Sequence, residues 1–359
     1  MSQGAAVMIS KDQNIRWEET ETIDVGLETS LWNGLFNFNI SYFYRNTYDI
    51  LYKPAGSISS ILGLGISEVN TGKLKNTGCE IELGHHNQIG DFKYNINGNL
   101  SVINNEVVSL GLGNVEQLNG LVGNGSDLFI GYPMQMYYGY KTDGVFLDQN
   151  DIDNWHDQSK VTPNPRPGDI RYQDISGPDG VPDGKIDPNY DRVPLGSRIP
   201  KFTFGLNIGM EYKNWDFSAL FQGVAGVKGY LNNYAGFAFK GESGIQTWQA
   251  DGAFDPQNPV RYPNYPRLEL IATSTPNTEM SDFWILDASY IRLKNVSLGY
   301  TLPKNILSKC GISNLRVYIQ AENPLTWNKY RQGWDPEINT GGSYYPILST
   351  YTFGVNFKF

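Results

Sequence analysis

The chain has 359 residues, 18% of them charged and 13% aromatic, with 23 Tyr, 39 Gly and a formal net charge of −9. That acidic balance argues against nucleic acid as a partner, because phosphate binding draws on clustered Lys and Arg. No apolar run approaches the roughly 20 residues of a spanning helix, whereas the mean hydropathy of −0.39 leaves a membrane β-barrel open, since a barrel wall is apolar on one face only.

The first eight residues, Met1 to Met8, carry no basic stretch and no long apolar core, so they are not read as a secretory signal. Period-two alternation then begins, the mark of a strand with one apolar face. Strands are predicted over 23–32 and 35–46, joined at Asn33-Gly34, and over 76–88 and 92–104, joined at Ile89-Gly90-Asp91. After Pro200 the residues Phe202, Phe204, Leu206, Ile208, Met210 and Tyr212 share one side, with Thr203, Gly205, Asn207 and Gly209 opposite. Across a turn at Asn214, Trp215, Phe217, Ala219 and Phe221 repeat the pattern. A strand over 287–302 changes phase near Asn295, which predicts a bulge. After a moderately short connection at 303–314 come strands over 315–324 and 351–359, the last with Tyr351, Phe353, Val355, Phe357 and Phe359 on one side.

Most of these runs reach the ~9–11 residues a tilted strand needs to cross a bilayer. The remaining stretches, 47–75, 105–200, 227–286 and 325–348, are long, and short and long connections alternate without exception. That is the pattern of an outer-membrane barrel, with short periplasmic turns and long extracellular loops. Nine strands result when the extended segment at 134–147 is given to a loop, or ten when it is not. The fold class expected is all-β, an antiparallel transmembrane β-barrel segment. With nine strands the first one starts outside, whereas a complete single-chain bacterial barrel has an even number. The expectation is therefore that earlier strands are missing from this chain.

Four stretches resemble the SusC/RagA-type TonB-dependent transporters of Bacteroidota: Asn14–Glu28 (NIRWEETETIDVGLE), Pro200–Gly226 (PKFTFGLNIGMEYKNWDFSALFQGVAG), Arg292–Pro303 (RLKNVSLGYTLP) and Arg316–Trp327 (RVYIQAENPLTW). Gly-Trp-Asp-Pro-Glu at 333–337 and the C-terminal Phe359 fit as well. The resemblance implies a 22-stranded barrel of which residues 1–359 form roughly the last two-fifths, without plug domain or early strands. It further implies an importer of oligosaccharides or peptides in the outer membrane of a Gram-negative cell, surrounded by outer-membrane lipid. The implied partners are a SusD-like lipoprotein and TonB, the latter engaged through the missing N-terminal part. An alternative is a soluble all-β surface protein that binds glycans with calcium, and a third reading is a secreted glycosidase.

Three groups of residues are candidates for function. Asp174, Asp179, Asp183, Asp187 and Asp191 lie in a Gly- and Pro-rich run. Calcium takes several carboxylate and carbonyl oxygens, and a Gly lets the chain turn around it. Asp183-Gly184 with Asp179 and Asp187 resembles the family's D-x-N-G-D-G-x-I-D, but Val181 stands where a ligand is expected and no Glu closes the loop. Ca2+ is thus a possible cofactor, against a plain Pro/Gly/Asp turn. Trp248, Tyr262, Tyr265, Trp284, Tyr344 and Tyr345 lie in the long loops, where rings stack on sugars or pack loops together. The alternating Tyr351, Phe353, Val355, Phe357 and Phe359 resemble the C-terminal signal read by the outer-membrane insertion machinery. His85 and His86 are adjacent on a strand and point to opposite faces, the two cysteines, Cys79 and Cys310, are far apart, and no nucleophile or phosphate-loop motif occurs. The chain is not read as an enzyme.

Overall fold

The computed structural model describes residues 9–10, 14–53, 65–111, 115–116, 120–241, 243–271, 274–307, 311–338, 341 and 344–359; Cys310 lies outside them. Nine strands form one antiparallel sheet: β1 (Glu19–Leu31), β2 (Phe36–Tyr52), β3 (Val69–Ile89), β4 (Phe92–Ser109), β5 (Phe202–Tyr212), β6 (Trp215–Ala225), β7 (Tyr290–Thr301), β8 (Asn314–Asn328) and β9 (Thr350–Lys358). Each strand pairs with the next in sequence, an up-and-down meander. The segment 136–140 pairs with 192–197 outside this sheet, so it belongs to a loop.

The hairpins at one end are tight because their residues accept the left-handed region. Trp32, Asn33 and Gly34 have φ of 53°, 55° and 89°, and Gly90 and Lys213 have φ of 62° and 54°, the backbone that matches the twist of paired strands. At the other end β2 and β3 run past their predicted limits, to Tyr52 and from Val69. Pairing persists there through a bulge around Asp49, whose φ is 56°. The bulge expected near Asn295 is present: Lys294 is skipped in the register on both sides of β7.

The register aligns the two kinds of residue into continuous rows. Tyr94, Met210, Phe217, Leu298, Ile319 and Phe353 are successive partners across six strands. One residue along, the row reads Asn95, Gly209, Ser218, Ser297, Gln320 and Thr352. Alternation along each strand puts the first row on one face and the second on the other. The apolar face is bare: Phe353 is 73% and Ile319 57% exposed. Leu220 departs from the rule, exposed on the polar face. A contiguous apolar surface of this extent is untenable in water, and a lipid-facing barrel wall accounts for it.

The hydrophobic core sits in the loops. The described residues of segments 120–201 and 226–289 fold together around Tyr172, Ile170, Val145, Ile186, Tyr265 and Trp284. The helix at Gln149–Asp153 is capped by Asp148, whose side chain accepts from the Asp151 amide at 2.8 Å.

Candidate functional site

The loop body is held by charges drawn from distant parts of the chain. Asp151 receives Arg171 at 3.0 Å and Arg261, while Arg171 also pairs with Asp143 and lies 3.8 Å over the Trp155 ring. Burial pushes the Asp151 carboxyl upward, but hydrogen bonds from Arg261 and the Leu147 amide outweigh it and hold the group below its ordinary value. A second knot surrounds Asp169, which is 2% exposed. It accepts from Arg267 Nε at 2.5 Å, Asn277 Nδ2 at 2.7 Å and the Arg166 amide at 2.8 Å. These buried carboxylates are paired and hydrogen-bonded, the condition for tolerating them.

The six loop aromatics divide sharply. Trp284 is 1% exposed, donates Nε1–H to the Asn277 carbonyl at 2.8 Å and meets Phe237 edge-on at 5.1 Å. Tyr265 is equally buried, its hydroxyl accepting from the Ala238 amide, and burial pushes its phenol up to about 12. These two pack the core, the packing alternative expected of loop aromatics, and present no ring to a ligand. Trp248 is half-buried, with Arg331 4.5 Å over its ring. Gln246 Oε1 accepts from both Trp248 Nε1 and Trp334 Nε1 at 2.9 Å, tying the β6–β7 loop to the β8–β9 loop. Tyr262 and Tyr345 remain open, and Tyr344 leans on Trp334 at 5.1 Å.

Four of the five aspartates are engaged by the chain itself. Asp191 is fully buried, accepting from the amides of Ile175, Ser176 and Asp187, and burial raises its carboxyl above the ordinary value. Asp187 pairs with Lys160 and accepts from the Asn189 amide, Asp183 accepts from the Lys185 amide at 3.0 Å, and Asp179 is exposed. Asp174 Oδ2 accepts from the Gly184 amide, while its buried Oδ1 has no hydrogen-bond partner. What is left open, Asp174 Oδ1, the exposed Asp179 carboxylate and the second oxygen of Asp183, falls short of the six to eight oxygens that calcium takes. Among the described residues no three acidic, His or Cys side chains converge on a metal position. In this geometry the donor set does not fit Ca2+, and Gly180 and Gly184, at φ of 76° and 83°, serve the turn.

Where the sheet meets the loops, two of the sequence stretches come together. Arg292 lies on the polar face of β7, 1% exposed, held by Asp335 at 2.5 Å and by Glu337 of the 333–337 stretch. Tyr290 donates its hydroxyl to Glu337 at 2.6 Å. Beside them a cavity of about 430 Å³ opens between the loops and the tops of β6 and β7. Lower on the same face Asn95 lies over Gly209 and Asn99 over Gly205, giving an amide-lined wall. Arg316 reaches across β7 to Asp216 (Nε to Oδ1, 2.9 Å), and Gly299 leaves the room it crosses.

The terminal strand β9 pairs only with β8 among the described residues. Tyr351, Phe353, Val355, Phe357 and Phe359 all stand exposed on the apolar face. Sequence reading missed that rings also collect on this face at the tight-turn end: Trp32 with Phe36, Phe92 with Tyr94, Trp215 with Tyr300, and Phe357 with Phe359. Aromatic rings at such a level form the girdle of a membrane barrel at the lipid–water interface. The signal was available as aromatics flanking each short turn. The ion-pair knots and the cavity had no such signal, because the knots join residues up to 110 apart and the cavity draws on residues from Gln135 to Ile338.

Comparison with known proteins agrees with this geometry. The family described as "TonB dependent receptor-like, beta-barrel" matches residues 2–323. TonB-dependent receptor P26 of Formosa agariphila is 30% identical over 96% of this chain and 35% of its own length. TonB-dependent receptor SusC of Bacteroides thetaiotaomicron is 25% identical over 97% of the chain and 32% of its own length. The chain therefore spans about a third of the curated relatives it matches. A structure of the RagAB peptide importer in its open-open state shares the fold, with a TM-score of 0.74 at 22% identity over 100% of this chain and 37% of the other.

Proposed function

The chain belongs to the TonB-dependent receptor β-barrel family, and from that premise we propose that it builds wall and outer mouth of an outer-membrane importer of oligosaccharides or peptides. The observation that carries the reading is the two-faced meander, apolar outside and amide-lined inside, with the long β4–β5 and β6–β7 loops gathered into one body at one end. A wall of this kind encloses a polar path, and the loop body stands where a solute enters it. In this orientation the tight hairpins are periplasmic and the loops extracellular. The similarity to SusC and to the RagAB peptide importer supports a SusD-like surface lipoprotein as partner and a Bacteroidota outer membrane as the setting. Coupling to TonB belongs, in this reading, to parts of the receptor other than these nine strands. The apolar outer face tells against the soluble calcium-dependent binder.

Uptake of fluorescent oligosaccharides and peptides by cells tests the reading, with the receptor deleted or TonB disabled. Uptake of one solute class should disappear in both strains and return on complementation. Equal uptake in all strains, with protein released by a carbonate wash without detergent, would establish the soluble alternative.

A further inference from the structure

The cavity at the mouth has a chemical character that neither the family nor the transport reading supplies. Its walls include three tyrosines: Tyr137 and Tyr230 meet edge-on with ring centroids 5.9 Å apart, and Tyr290 closes the side formed by β7. Two cations, Arg198 and Lys228, line it with Glu337. Glu337 is already committed, one oxygen to Arg292 and the other to the Tyr290 hydroxyl. Arg198 hydrogen-bonds the Tyr137 hydroxyl and lies 5.8 Å from the centre of its ring, and Lys228 sits opposite Asp287 in the register, attracting that carboxylate without reaching ion-pair distance. Among the described residues neither cation has a carboxylate partner within 4.0 Å, although acidic residues outnumber basic ones in this chain, 37 to 28.

Their placement is built into the backbone. Gly196, at φ +122°, leaves space for the Lys228 stem, whose Cγ would lie 2.5 Å from a methyl group there. Ser197 donates to the Met134 carbonyl at 2.9 Å and accepts from the Ile199 amide at 3.0 Å, fixing the backbone on both sides of Arg198. Two cations without carboxylate partners over an aromatic wall favour an anionic group carried on a flat or apolar body.

We propose that this cavity is a subsite for the carboxylate of the transported solute, taken between Arg198 and Lys228 with the body of the solute against the three tyrosines. The inference rests on the importer reading and narrows it to solutes bearing a carboxylate, whether uronate sugars or peptides with free acidic groups. The test uses the full-length receptor in detergent and calorimetry with two matched pairs of probes. One pair is tetragalacturonate and its methyl ester, the other tetra-alanine and its C-terminal amide.

The acid of one pair should bind at least tenfold more tightly than its neutral partner, and the pair that shows it identifies the source. That preference should fall below twofold in the Arg198→Gln/Lys228→Gln variant and survive in Lys228→Arg, with heat-modifiable barrel unchanged in both. Equal binding of acid and neutral probes would overturn the subsite, as would a preference that survives the double substitution. Absence of binding by all four probes, in a receptor that still supports TonB-dependent uptake of neutral oligosaccharides, would overturn it while leaving the importer standing. Loss of the importer reading would show instead as uptake indifferent to TonB.

Discussion

Asp151 joins two arginines from different stretches of the loop body, and its removal leaves the buried Arg171 and the partly buried Arg261 with one partner fewer each. Breaking such a pair from one side costs about 3 kcal/mol, so Asp151→Ala should expose segments 143–172 to limited proteolysis while the membrane sheet stays resistant. The pH dependence has a definite sign. A carboxyl held below its ordinary value contributes stability that is complete above about pH 4 and is lost as pH falls through the lowered value. Proteolysis of the unsubstituted loop body should therefore be flat from neutrality down to that range and rise below it, and the rise should be smaller in the variant, where Asp157 and Asp187, also held below their ordinary values, still titrate. None of this was legible in the sequence. Tyr262, Tyr265 and Trp284 are alike as loop aromatics, and only long-range packing makes the first a surface ring and the other two core. The five aspartates looked like a ligand set because composition and spacing do not reveal that backbone amides and Lys160 already engage four of them.

Strands were legible because a one-sided wall writes its pattern into every second residue. The phase change at β7 carried its own consequence. Lys294 is the extra residue that lets Tyr290 and Arg292 face the polar side while Val296 and Leu298 face lipid. Deleting Lys294 should swing Arg292 toward the lipid face at the loop end of β7, where a charge costs up to about 1 kcal/mol, and should orphan the Asp335 and Glu337 carboxylates, a one-sided break that costs about 3 kcal/mol. Heat-modifiable, membrane-inserted barrel should fall steeply, and normal insertion would show that the bulge does not set the phase. The terminal strand permits a sharper contrast. Losing one apolar ring from the wall costs on the order of 1.5–3 kcal/mol, a graded effect expected of Phe353→Ala. If β9 also serves as the assembly signal, deletion of Phe359 should abolish insertion and leave the protein to periplasmic degradation. Near-normal insertion of both variants would reduce the strand to wall alone. Strand ends were less legible than strand existence: β2 and β3 continue above the bulge at Asp49, where pairing persists after the long loop was expected to begin.

Across the whole molecule, two physical environments divide the chain: a sheet whose apolar side has no protein cover, and a loop body with the only sizeable buried core among the described residues. The alternation of short and long connections exposed this division in the sequence, since the turn chemistry of Asn33-Gly34 and Gly90-Asp91 is local. The internal architecture of the loops was hidden because it depends on contacts between segments more than a hundred residues apart. The central claim is that the row through Phe217, Leu298, Ile319 and Phe353 faces lipid while the row through Ser218, Ser297, Gln320 and Thr352 faces an aqueous interior. Spin labels placed singly at these eight positions in the full-length receptor, reconstituted in liposomes, measure this directly through collision with oxygen and with a water-soluble nickel chelate. The account predicts strict alternation, with oxygen favoured at the first four positions and the chelate at the other four. Equal access of the chelate to both rows would contradict it and return the sheet to water.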